Sequence, residues 1–191
     1  YHPMVVLDLR DYTVAGRYLQ KFGAIQGYDA LLDYATQAHM PAFLPTAAEQ
    51  WFRQPIVAAL KAQSLSSEWY YTSSADPADK SVSMGTVQPD TELNVAGLEN
   101  AVGLLVATRG VGIGRLHIQR RVQTDVTAVS SVLGSTARRA NDLIQLRSFV
   151  EREVSAKACN EEAVISAAPT PTQRSLVMID PQTGLDHPVT V

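Results

Sequence analysis

The chain has 191 residues, 46% apolar and 18% charged, with a formal net charge of −3. Such a chain buries roughly two-thirds of the surface it exposes unfolded, so it needs neither disulfides nor metals to fold, and disorder of the whole is excluded. The single cysteine, Cys159, forms no internal disulfide, which excludes a disulfide-stapled scaffold and points to a reducing, intracellular setting.

No stretch approaches the roughly 20 apolar residues of a membrane span. The longest candidate, residues 101–108, leads straight into Arg109. No leader is visible, although a start at Tyr1 leaves a processed or trimmed terminus open.

Residues 4–9 (Met-Val-Val-Leu-Asp-Leu) read as a strand closed by Arg10-Asp11. Asp11 or Thr13 can cap a first helix over residues 14–22, with Gly23 as its stop. A second helix is expected over residues 28–39, placing Leu31, Leu32 and Ala35 on one face. Thr46 and Glu49 form a capping box before Trp51, Phe52, Ile56, Ala59 and Leu60, which recur at helical spacing. Pro55 lies inside that pattern and implies a kink or break.

Residues 68–72 and 81–87 read as strands that can pair across a turn-rich loop. A third helical region is expected over residues 93–106 and a strand over residues 115–122. A long helical stretch over residues 125–157 can split near Gly134. After Pro169-Thr-Pro171 comes a strong strand, Leu176-Val-Met-Ile179, and then a turn at residues 180–184. The expected fold is α+β: a mainly helical body with a small antiparallel sheet that the terminal strands can join. A globular unit over residues 1–165 carries an extended C-terminal arm over residues 166–191.

Charge is unevenly spread. Between Leu105 and Arg147 seven arginines (109, 115, 120, 121, 138, 139 and 147) face only Asp125 and Asp142, a local +5, and the rest of the chain is −8. Twelve of the sixteen basic residues are arginine, the side chain suited to ion pairs, interfaces and phosphate.

The run Arg109-Gly-Val-Gly-Ile-Gly114 is one residue short of a dinucleotide fingerprint, and the alternation after it argues for a strand instead of the required helix. It reads as a bend, or as a glycine turn letting backbone approach a phosphate beside Arg109 and Arg115. The strand expected next places Arg115, His117, Gln119 and Arg121 on one face. That face is either plain solvent-facing surface or, with Arg120, Arg138, Arg139 and Arg147, a basic surface for a partner or for RNA or DNA phosphates. No aromatic lies between Tyr71 and Phe149, so base stacking has no platform there.

Asp8 and Asp11 sit where α/β enzymes place metal-binding carboxylates, but helix capping by Asp11 and an ion pair from Asp8 explain the same residues. His2, His39, His117 and His187 are isolated, so no zinc site has local support, and Cys159 reads as an incidental thiol. No cofactor is expected.

The run Leu176, Val177, Met178, Ile179 is too apolar to stay unpaired. It returns to its own sheet or adds to a neighbour's as an assembly arm.

Together these features suggest a non-enzymatic, self-assembling structural subunit of coat or assembly type, contacting nucleic acid through its arginine-rich region. A metal-dependent enzyme on a phosphorylated or anionic substrate and a small monomeric, immunity-type binding module are the alternatives. Partners are expected to be further copies and nucleic acid, with no membrane.

Overall fold

The computed structural model describes residues 2–38, 40–86, 88–157 and 170–191. His39 and Cys159 lie outside them. The fold is α+β, built on several small sheets.

The opening strand, β1, runs Val5–Thr13. It pairs in parallel with β7, Val102–Val111, with Val5 opposite Val102 and Tyr12 opposite Arg109. On its other side β7 pairs antiparallel with β3, Ala30–Tyr34, and β3 pairs in parallel with β4, Ser67–Trp69. The central sheet therefore has the order β1-β7-β3-β4 and mixes both directions.

Two segments expected as helix are strands of this sheet. Residues 28–39 supply β3. The helix expected to reach residue 106 is α4, Glu92–Leu98, after which Asn100 turns at φ +61° and the chain enters β7. Both strands are covered on each face, so their stretches 30–32 and 104–107 are apolar without a break and give no period of two to read.

One face of the sheet packs Leu32, Leu104 and Val106 with Phe52, Ile56 and Leu60. These last three belong to one helical run: α2 (Phe43–Ala47), a π-helical stretch (Ala48–Arg53) and α3 (Gln54–Ala62). Pro55 falls in the first turn of α3. A proline ring clashes with the carbonyl four residues back, and the wider turn just before it accommodates the ring without ending the run. Thr46 caps nothing, because the helix has begun at Phe43 and the Thr46 hydroxyl donates to the Ala42 carbonyl at 2.7 Å.

Two long helices complete this layer: α5, Ile118–Arg138, which buries Thr124, Ala128, Val132 and Ser135, and α6, Ala140–Lys157. The break between them is at Arg139 and not at Gly134. None of the helices among the described residues is long and apolar enough to cross a membrane.

The opposite face packs Leu31, Leu105 and Ala107 with Leu93 of α4, Tyr18 and Tyr71. Tyr18 lies on α1, Arg17–Phe22, which stops at Gly23 (φ +67°) as expected. The residue before its first turn is Gly16, so Asp11 and Thr13, still within β1, cap nothing. Tyr71 opens β5, Tyr71–Ser73, which forms the expected antiparallel pair with β6, Val82–Met84.

The closing strand, β8 (Ser175–Ile179), lies between β2 (Ile25–Gln26) and β9 (Asp186–Thr190), antiparallel to both. Leu176 and Met178 are fully buried beneath it. Within the chain, the expected assembly arm Leu176, Val177, Met178, Ile179 is thus a middle strand, paired along its length with β9 and at Met178 and Ile179 with β2.

Asp33 is a costly element of the core. Its carboxylate is 3% exposed and accepts from the Tyr34 amide (2.9 Å) and the Thr86 hydroxyl (3.1 Å). Burial outweighs those bonds and lifts the group to about 6. The folded state thus holds this proton more tightly than the unfolded chain, so the stability it confers is full below about pH 4 and is lost as pH rises through 6. At neutral pH the buried charge costs up to about 3 kcal/mol. Asp33→Asn is expected to raise the free energy of unfolding at pH 7 by about 1–2 kcal/mol and to flatten the pH 4–6 slope, read by urea unfolding across that range.

Candidate functional site

The site forms where β7 hands over to α5. Beyond Val111 the chain turns through Gly112 (φ +91°), Gly114 (φ +55°) and His117 (φ +56°) before the helix starts. Amide-to-carbonyl contacts at 3.0 Å (Leu116 to Ile113) and 3.2 Å (Ile118 to Arg115) hold these bends. Residues 115–122 are therefore a turn and a helix start, and the basic strand face expected there does not exist. Left-handed backbone at three of six positions overrides the apparent alternation.

Arg109, at the end of β7, and His117, Arg120, Arg121 and Thr124, around the first turns of α5, line one cleft of about 390 Å³. Asp29, at the entry to β3, and Ile179 and Gly184, from the β8–β9 hairpin, form its other walls.

Two of the guanidinium groups are fixed by carboxylates. Arg120 holds Asp29 in a fork, Nε to Oδ1 at 2.5 Å and Nη2 to Oδ2 at 2.7 Å. Asp29 also accepts from the Ser66 amide (2.7 Å) and hydroxyl (2.9 Å). Burial alone would raise the Asp29 carboxyl, but the bonds from Arg120 and Ser66 prevail and hold it below the usual range. Arg121 Nη2 donates to Asp11 Oδ2 and Nη1 to the Gly114 carbonyl, both at 2.8 Å, while its Nε is buried with no partner among the described residues.

This second pair crosses directly over Gly110. A Cβ there would lie 2.2 Å from Asp11 Cγ and 2.4 Å from Arg121 Nη2, so only glycine lets the bridge form. Behind it Asp125 is raised, by burial first and by Asp11 second.

Arg109 differs from its neighbours. Its one side-chain hydrogen bond among the described residues goes to the Gly27 carbonyl at 3.3 Å, and no carboxylate among them forms an ion pair with it.

The remaining expected residues are elsewhere. Arg115 is exposed, and its side chain makes no hydrogen bond or ion pair with a described residue. Arg138 bonds Ser135 (3.2 Å) at the far end of α5, about 30 Å of helix away. Arg139 pairs with Asp142 at 2.9 Å and covers the Trp51 ring at 5.3 Å. Arg147 bonds Glu151 and the His2 carbonyl, both at 2.9 Å. The seven arginines therefore form no continuous track: three of them and His117 share the cleft, Arg138, Arg139 and Arg147 brace local structure, and Arg115 is exposed.

Asp8 and Asp11 project from opposite faces of β1. Asp8 and Glu92 both hold Arg10, while Asp11 turns to Arg121. Three residues apart on a strand, the two carboxylates cannot share a metal ion, which removes the geometry of the phosphate-directed metal pair. The residues that sequence reasoning missed are Asp29, which no local motif marks, and Asp11 in its role of arginine partner.

A second feature lies on the outer side of α5. Ile118, Val122, Val126 and Leu133 are 46%, 52%, 58% and 65% exposed, and half-buried Val129 falls between them. At 3.6 residues per turn these five share one stripe beside the buried face. The residues along its outer flank, Gln123, Thr127, Ser130, Gly134 and Ala137, are uncharged.

No family model matches the chain, and no solved structure matches it. Over 135 residues it is 24% identical to "Carboxypeptidase 2" of Trichophyton equinum, a match covering 70% of this chain and 25% of that protein. The chain thus spans about a quarter of the length of the relative it matches.

Proposed function

We propose that the chain is a self-associating structural subunit, of coat or assembly type, whose copies meet through the outer stripe of α5. The observation that carries this reading is the stripe itself: four exposed aliphatic side chains in register over four turns, with an uncharged outer flank. Single exposed aliphatics are ordinary, whereas an aligned row of them marks a contact surface.

The occupant that suits the face best is a second copy. From Val122 to Ala137 the one ionisable side chain is Asp125, which is half-buried on the side toward Arg121. A partner with a charged surface would leave its charges desolvated against this face, whereas the facing stripe of a second α5 is itself uncharged. The spacing Val122, Val126, Val129, Leu133 is that of a coiled-coil seam, and Ser130, Gly134 and Ala137 let helices approach closely.

Covering the exposed halves of these side chains in two copies contributes about 1 kcal/mol each. Association itself costs about 4–15 kcal/mol, so the complex is expected to depend on concentration. The likeness to part of a carboxypeptidase transfers no activity to a chain that spans a quarter of that protein. The reading places the protein inside the cell or within an assembled particle. Sedimentation velocity on a dilution series tests it, with a weight-average mass that rises with concentration as the expected result.

A further inference from the structure

The cleft between β7, α5 and the C-terminal hairpin is independent of the self-association face, and we infer that it binds the terminal phosphate of a phosphomonoester.

The setting is a strand, a glycine-rich turn and the start of a 21-residue helix, Ile118–Arg138. The first amides of such a helix lack intrahelical acceptors and carry the positive end of its dipole. The turn is one residue shorter than the dinucleotide fingerprint, but the helix that the fingerprint requires is present. A Cβ at Gly112 or Gly114 would meet no atom within 4 Å, so the turn is open to a ligand.

Added to this backbone are guanidinium groups from two elements, Arg109 from β7 and Arg120 and Arg121 from α5. Asp29 and Asp11 immobilise Arg120 and Arg121 before any ligand arrives, and a preorganised donor loses less entropy on binding. They also neutralise these two, so the charge left over is that of Arg109 and the helix end. The buried Nε of Arg121 has no partner among the described residues.

Donors that converge from several directions suit a tetrahedral group with three terminal oxygens. A planar carboxylate needs one guanidinium fork and would leave the others unused. The volume of about 390 Å³ accommodates a phosphate with a small organic group, and Ile179 and Gly184 also line it. Arg138, Arg139 and Arg147 are engaged elsewhere and add no cationic track along which an extended nucleic-acid backbone could run from the cleft.

Calorimetric titration of the full chain at low salt, with inorganic phosphate, AMP and acetate as probes, tests the inference. Saturable binding of phosphate and AMP is expected, weakening as salt rises, with acetate at least about tenfold weaker. Arg109→Gln is expected to weaken AMP by about tenfold or more. His117→Asp, which keeps a residue tolerant of left-handed backbone and adds a negative charge to the cleft, is expected to do the same without unfolding the chain. Arg138→Gln, remote from the cleft, is expected to change affinity less than about twofold.

A short RNA oligonucleotide with a 5′-phosphate separates the sources. Affinity equal to that of AMP assigns a small phosphomonoester, and about tenfold tighter binding assigns a strand end. The inference is overturned by absence of saturable phosphate binding up to about 20 mM. It is equally overturned if acetate binds as well as phosphate, if both cleft variants bind normally, or if a 5′-hydroxyl oligonucleotide binds as tightly as the phosphorylated one.

Discussion

Gly103→Ala is expected to destabilise the protein by about 3 kcal/mol or more. Gly103 lies in β7, the strand at the centre of the main sheet, directly beneath the first turn of α4. A Cβ there would meet the Leu93 carbonyl oxygen at 2.3 Å, with Leu93 C at 3.0 Å and Cα at 3.1 Å. All three are backbone atoms, so no side-chain rotation relieves the clash, and α4 must move as a body.

That movement is resisted at several points. Asn94 is fully buried, and its Nδ2 donates to the Thr86 and Gln88 carbonyls, both at 2.8 Å, while its Oδ1 accepts from the Thr36 amide at 3.1 Å. Shifting α4 stretches all three bonds, and buried polar groups that lose partners are expensive. The same substitution at Gly134 makes the contrast. A Cβ there meets the flexible end of Arg138 at 3.2 Å within a helix, so Gly134→Ala is expected to stabilise by about 0.5–1 kcal/mol. Urea unfolding of both variants reads the difference in sign.

The double variant Val126→Glu, Leu133→Glu is expected to abolish self-association while leaving the fold intact. Both side chains are more than half exposed, and glutamate favours helix more than valine does, so the monomer loses little. Across an α5–α5 contact the two substitutions bring four carboxylates into an uncharged seam. Each must be desolvated with no cation on the facing stripe, a penalty of a few kcal/mol that weakens association by a factor of about 100 or more. An unchanged melting profile together with a monomeric mass is the expected pair of results. Arg147→Gln, on α6, provides a charge change away from the stripe.

Much of the frame was legible where sequence signals are local. β1, the stop of α1 at Gly23, the β5–β6 pair, the long helices and the turn after β8 all carry their own period or punctuation. The central strands β3 and β7 were not, since the continuous apolar run of a strand covered on both faces resembles a short buried helix. Residues 115–122 misled for a different reason. Six or seven residues of apparent alternation cannot be told from a turn entering a helix, and His117 adopts left-handed backbone that no neighbouring residue announces.

The arginine cluster was legible as composition but not as a site. What gathers Arg109, Arg120 and Arg121 is pairing over long sequence distances: Arg120 with Asp29, Arg121 with Asp11, and Arg109 beside Tyr12 across the β1–β7 pairing. The same tertiary contacts disperse Arg138, Arg139 and Arg147. The α5 stripe was hidden because its residues first had to be known as helical and then as uncovered.

Sedimentation velocity of the wild-type chain beside the Val126→Glu, Leu133→Glu variant, from about 1 to 200 μM, addresses the central claim most directly. The wild-type mass should climb with concentration toward a dimer or larger species while the variant remains at 20.7 kDa. A wild-type chain that stays at that mass over the whole range, or a variant that associates as the wild type does, would contradict it.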